Sequence, residues 1–396
     1  MQRRELLKGV GAGGTAGLAA IALANPLLAR AAQQQDNASG RAFGEFLETL
    51  RDLEAAFLQP HWRLRTADDF AGARRMLLHT LIHALQTWFE ADPARPFFVS
   101  FVDRHKKMLG DNPDARYHQT VINSAHRYRI FGNLAAATYT SFTVEMGVGD
   151  ESPGLGTSIN DTEFETDADG NYEIIASAEK VEGNWLQLPD GAVSIVSRHY
   201  YEREHSIQND QLHCIPLGIE NLSAAGPRVA VNDEQIAAGI HRINEFLRRN
   251  VRALDNSTSP VWVSRVPNRF VPPKVDDSNE AIGYAARDNT YAMAPFALQP
   301  GQALVMRGRW PDCRFANVVL FDQFLQTFDY ETRTISLNRR QTALEPDGSF
   351  RITLAHSNPG TPNWLDTEGR SFGIIFWRFQ LVKGNIEPLR TEVITL

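Results

Sequence analysis

Three stretches of the chain carry apolar residues at helical spacing. Phe43, Phe46, Leu47, Leu50, Leu53 and Phe57 predict a helix over 41–58. Thr66 followed by Asp69 has the form of a capping box and opens a second helix that runs to Phe89, ahead of Pro93. Asn232 caps a third, with Ile236, Ile240, Ile243, Leu247 and Val251 on one face. After Gly110 the pattern changes to alternation. From Tyr128 onward short runs rich in Ile, Val, Thr and aromatics are divided by Gly, Asp and Asn, which predicts strands and turns. A stretch rich in proline and serine (Ser257 to Pro273) follows the third helix, and β patterning then resumes to the C-terminus.

The β patterning repeats itself. Asp169-Gly170-Asn171-Tyr172-Glu173-Ile174 returns as Asp347-Gly348-Ser349-Phe350-Arg351-Ile352, and Asn184-Trp185-Leu186 returns as Asn363-Trp364-Leu365. Gly132 and Gly308 each precede an aromatic, Tyr139 and Phe315, at the same spacing; Asp111-Asn112 matches Asp288-Asn289, and Arg198 matches Arg378. An Asp-Gly pair between alternating runs is a tight-turn signal, because glycine accepts positive φ. The expected fold is therefore mainly β with helices. It comprises two tandem sandwich or jelly-roll-like units, a helical N-terminal region and a helical insert. The expected boundaries are a leader over 1–31, helices over 32–110, a first β unit over 111–225, an insert and linker over 226–287, and a second β unit over 288–396.

The leader reads as a twin-arginine signal. Arg3-Arg4 precede Leu6-Leu7-Lys8, a weakly apolar Gly/Ala-rich run follows, and Ala29-Arg30-Ala31 offers small residues for cleavage. That run holds glycines and Pro26 and few large apolar residues, which suits an exported segment better than an anchor. The expectation is a periplasmic or secreted protein whose partner is the twin-arginine export machinery, with no permanent membrane span in the mature chain. The net charge of −7 argues against a phosphate-tracking nucleic-acid binder, which would need a basic stripe. Two cysteines are too few for a disulfide framework or a Cys-rich zinc site, and the sequence leaves open whether Cys214 and Cys313 pair.

The order Phe315-Ala316-Asn317-Val318-Val319-Leu320-Phe321-Asp322, Leu337-Asn338-Arg339, Asp347-Gly348-Ser349 and Asn363-Trp364-Leu365-Asp366 resembles the DUF1214 family, whose members often stand beside DUF1254 segments. The resemblance covers about 290–380, with a weaker echo in 111–201. It implies a β-sandwich-rich fold and no particular activity. Asp366 departs from the proline that often ends the Asn-Trp-Leu motif.

Several groups are candidates for chemistry. His79 and His83 stand at i, i+4 on the second helix, where flanking leucines predict packing and not metal binding. His199, His205 and His213 lie near Glu202 and Glu204. The second unit carries a polar set, Arg339, Arg340, His356, Asp366, Glu368 and Arg378, to which Asp288 and Asn289 add repeated polar landmarks. Arg378 sits among Ile375, Phe376, Trp377 and Phe379, so its partner is either a structural anion or an anionic ligand. No cofactor or metal is assigned. The expected function is binding of a sugar-like or amphiphilic small molecule in a cleft of the β units. The alternative is an envelope hydrolase or lyase, metal-dependent in one version, using His356 and Asp366 for proton transfer.

Overall fold

The computed structural model describes residues 37–396 apart from 58, 60, 61, 63, 148–153, 225, 228, 229, 254–259 and 276–283. The leader expected over 1–31 lies outside them. Among the described residues three helices precede or interrupt the β units: α1 (Ala38–Ala56), α2 (Ala67–Thr87) and α3 (Asp233–Ala253). Their starts are set by side chains that satisfy the first free N–H groups. Thr66 Oγ1 accepts from the Asp69 amide at 3.1 Å while Asp69 accepts from the Thr66 amide at 2.9 Å, the expected capping box of α2. Asn232 and Gln235 make the same reciprocal pair at α3. Asp233 also accepts from the Ala38 amide at 2.8 Å, so the first residue of α3 ties down the start of α1. The helices share a core of Leu53, Met76, Trp88, Phe246 and Leu247, which takes in Phe324 of the second unit.

The first unit holds β1 (Val99–Ser100), β2 (Ala115–Val121), β3 (Tyr128–Asn133), β4 (Tyr139–Met146), β5 (Gly154–Asn160), β6 (Asn171–Ser177), β7 (Trp185–Gln187), β8 (Ala192–Tyr200) and β9 (Leu217–Asn221). The second holds β10 (Asn289–Ala297), β11 (Gln302–Gly308), β12 (Phe315–Phe321), β13 (Ser336–Asn338), β14 (Phe350–Ala355), β15 (Trp364–Asp366), β16 (Phe372–Gln380) and β17 (Arg390–Thr395). Each unit is two facing sheets. In the first they run β1-β2-β8-β4-β5 and β7-β6-β3-β9; in the second, β10-β16-β12-β13 and β15-β14-β11-β17. Apart from the extra β1, the orders are the same. Phe142, Ile195, Ile130 and Ile174 fill the first sandwich; Val318, Trp377, Leu304 and Ile352 fill the second.

The repeat extends to single atoms. Asn184 Nδ2 donates to the Glu165 and Glu173 carbonyls and its Oδ1 accepts from the Glu165 amide; Asn363 does the same with Ala343, Arg351 and Ala343. Each asparagine holds the short strand after it in parallel pairing, Leu186 opposite Ala176 and Leu365 opposite Leu354. Gly170 and Gly348 both adopt φ +80, which a Cβ would strain.

One expectation is corrected here, and one point that the sequence leaves open is answered. On α2 the large apolar residues Leu78, Ile82 and Leu85 are exposed, whereas His79 and His83 are buried. His79 Nδ1 meets the backbone of Lys107, and His83 Nε2 meets Gln119 Oε1 at 2.7 Å, so a polar face of the helix packs inward with its hydrogen bonds made. Burial lowers His83 to about 3 and keeps it neutral. Cys214 and Cys313 are both free, the first exposed and the second buried.

Candidate functional site

The outer faces of β2-β8 and β10-β16 turn toward each other and toward α2, and leave a cavity of about 1600 Å³ between the two units. Alternation along the strands decides what faces it. Tyr117 on β2 and Val196, Arg198 and Tyr200 on β8 come from the first unit; Tyr291 and Met293 on β10 and Phe376 and Arg378 on β16 come from the second. Trp62, ahead of α2, and Trp262 complete an aromatic wall. Trp262 stacks on Phe376 with ring centres 5.8 Å apart. Arg65, Arg75, Arg265 and Arg370 stand exposed around the same space.

The phenols on the floor are donors. Tyr117 Oη donates to Tyr200 Oη at 3.1 Å. Tyr291 Oη accepts from the Ala286 amide and from Asn289 Nδ2, which leaves its proton free to donate. Burial raises Tyr117 well above the usual phenol range and raises Tyr291 as well, so both stay neutral.

Among the acids along the cavity Asp68 is exposed and the others are engaged, Asp69 in the capping box of α2. Asp111 accepts from the amide and hydroxyl of Thr327. Asp322, raised to about 6 by burial, accepts from Phe324 and Gln326. Glu368 accepts from the Asp329 amide.

Both repeat arginines line this space. Arg198, 2% exposed, donates to Thr143 Oγ1 at 2.7 Å and to the Tyr284 carbonyl at 2.9 Å, and stands 3.7 Å from Glu145. Arg378, 4% exposed, donates from Nη2 to the Gly110 carbonyl and lies 4.2 Å over the Phe376 ring. Arg378 Nη1 is buried without a hydrogen-bond partner.

Of the polar set read in the sequence, Glu368 and Arg378 line the cavity, and Asn289 supports it through Tyr291. The others lie elsewhere. Arg339 forks onto Glu202 at 2.7 and 2.8 Å and also reaches the Cys313 and Arg314 carbonyls, a tie between units. Arg340 is exposed, 3.6 Å from Glu204. His356 Nδ1 meets Thr367 Oγ1 at 2.7 Å, and Asp366 accepts from Arg333 at 2.6 Å. Asp288 accepts from Tyr139 and Asn160, again across the seam.

His199 is buried inside the first sandwich, its ring 6.0 Å from that of His118, and His213 packs on Tyr201. Among the described residues no group of three His, Cys, Asp or Glu side chains is placed to hold a metal ion, and no helix is long and apolar enough to cross a membrane. Tyr200, Trp262 and Glu145 were not singled out by sequence reading. Comparing the two repeats position by position would have found Glu145, whose counterpart in the second unit is Phe321.

Residues 118–204 and 297–380 match a family model described as "Protein of unknown function (DUF1214)". The chain is similar over 90% of its length to the crystal structure of an uncharacterised protein from Burkholderia cenocepacia, with 26% identity, 97% of that chain covered and a TM-score of 0.79. It is also similar to the VPA0106 protein from Vibrio parahaemolyticus, at 11% identity over 81% of this chain and 97% of that one, with a TM-score of 0.47. No curated protein matches the sequence.

Proposed function

Since both β units match the DUF1214 family model, we propose that the two copies act together as one binding module. In this reading it is an exported protein that holds an amphiphilic small molecule between its units. The observation that carries the reading is the cavity of about 1600 Å³, walled by Trp62, Trp262, Tyr117, Tyr291 and Phe376. Sites for small organic ligands are concave and mostly apolar, with a few polar groups that fix orientation; typical volumes are roughly 300–1,000 Å³, so this one suits an elongated occupant. Exposed arginines beside an aromatic interior fit a molecule with one wet end and one dry end. A sugar is less well served, because Trp185 and Trp364 face the sheet edges of their own units, where their indole N–H groups donate to Ser177 and Ala355.

Arg3-Arg4 and the small residues at Ala29 and Ala31 support export through the twin-arginine pathway to the periplasm or beyond. A hydrolase or lyase using His356 and Asp366 gains no support, since the two side chains bond to separate partners away from the cavity. The test is mass spectrometry of small molecules extracted from protein purified out of the envelope. One amphiphile at near-stoichiometric yield is expected. Protein that carries none, and takes none up when offered, contradicts the reading.

A further inference from the structure

The two units differ at one position that decides a charge. On β4, Ser141 stands opposite Arg198 and Glu145 lies four residues further on; on β12, Asn317 stands opposite Arg378 and Phe321 lies four residues further on. In the first unit the guanidinium therefore faces a carboxyl at 3.7 Å, with both side chains at most 3% exposed. In the second unit a phenyl ring occupies the carboxyl's place, 5.5 Å from the guanidinium carbon. Among the described residues Arg378 makes no ion pair, and its Nη1 has no acceptor.

Taking a guanidinium out of water without an anion is costly. The Phe376 and Phe321 rings recover part of that cost through their negative faces. They give Nη1 nothing to donate to. Of the acids that line the same cavity, Asp69, Asp111, Asp322 and Glu368 already accept from other groups, and Asp68 is exposed on α2. Tyr291, neutral and beside the guanidinium, has a proton free to donate, whereas Tyr117 already donates its own to Tyr200. Arg378 Nη1 and the Tyr291 hydroxyl are thus donors at this end of the cavity that a negative group would satisfy.

We propose that the ligand is an amphiphile with an anionic head, a carboxylate or a phosphate monoester, that seats on Arg378 in the place Glu145 fills for Arg198. This rests on the reading of the cavity as a binding site. Matched C12 probes separate the two claims: dodecanoate, dodecyl phosphate and 1-dodecanol, titrated calorimetrically into the full chain.

The wild type should bind at least one of the anions about tenfold or more tighter than the alcohol, the scale of one charge-assisted hydrogen bond. Arg378→Gln should bring the anions down to the alcohol's affinity. Phe321→Glu, which keeps Arg378 and supplies an internal carboxylate, should do the same while dodecanol still binds. It carries the test if Arg378→Gln fails to fold. The anion that binds tighter identifies the head. Equal affinity of all three for the wild type overturns the anionic head and leaves the cavity reading standing. Anion preference that persists in both variants overturns Arg378 as its seat. Binding of none of the three overturns both claims.

Discussion

Arg198 and Arg378 exchange partners across the seam: each donates to a backbone carbonyl five residues ahead of the other unit's first repeat strand, Tyr284 before β10 and Gly110 before β2. Their neighbours exchange as well. Asp111 of the first unit accepts from Thr327 of the second, and Asp288 of the second accepts from Tyr139 and Asn160 of the first. The units are thus joined by hydrogen bonds running both ways around the cavity, so its shape depends on both copies being present.

The asparagine plugs are the first test of the repeat. Asn363 is 4% exposed and Asn184 is half-buried, and each makes three hydrogen bonds to backbone. Asn363→Ala should cost about 2–3 kcal/mol and Asn184→Ala about 1–2 kcal/mol, from the groups left without partners. Urea denaturation measures both. A cost under about 0.5 kcal/mol for Asn363→Ala would show that the plug does not hold the turn.

The seam is tested at Arg339. Its fork on Glu202 is bidentate and partly buried, and it also closes two carbonyls of the loop before β12. Arg339→Met should destabilise by about 1–2 kcal/mol, more at low salt than at high salt. A loss that is independent of salt would mean that the carbonyl contacts alone matter.

The contribution of Asp114 to stability should fall as pH rises from about 4 to about 7. Burial raises Asp114 to about 7 from 3.8, against the opposing amides of Asn317 and Asn338 that donate to it. Below the unfolded value both states hold the proton and the contribution is complete. Between the two values the folded chain keeps a proton that the unfolded chain releases, so each pH unit removes at most about 1.4 kcal/mol from this group. Above about 7 the contribution is gone. Asp114→Asn should flatten the slope between pH 5 and pH 7 whatever its effect on absolute stability. An unchanged slope would place the titration elsewhere.

Export is tested by Arg3→Lys together with Arg4→Lys. The precursor should then remain in the cytoplasm, as seen by fractionation and blotting. Unimpaired export of the double variant would exclude the twin-arginine route.

The fold was legible in the sequence where one residue does a local job. Thr66 and Asp69 announce α2 because the capping box is made within one turn. Asn184 and Asn363 announce the repeat because each plugs its own turn. The burial of His79 and His83 was not legible, since it depends on Lys107 and Gln119 arriving from another element. The cavity was hidden for the same reason. Arg378 meets Gly110 from 268 positions away, and Tyr117 and Tyr291 are brought together only when two sandwiches set their outer faces opposite one another. The polar set Arg339, Arg340, His356 and Asp366 clusters along the chain but disperses in space, each side chain taken by a different neighbour.

Binding in the seam is tested most directly by heavy-atom quenching of the tryptophans that wall it. Trp62 and Trp262 line the cavity. A bromine-bearing long-chain carboxylate titrated into the full chain should quench part of the tryptophan emission and saturate at one ligand per chain. Most of that quenching should vanish when Trp62→Phe and Trp262→Phe are combined, with the circular dichroism spectrum unchanged. Absence of saturable quenching, or the same quenched fraction in the double variant, would contradict a ligand site between the units.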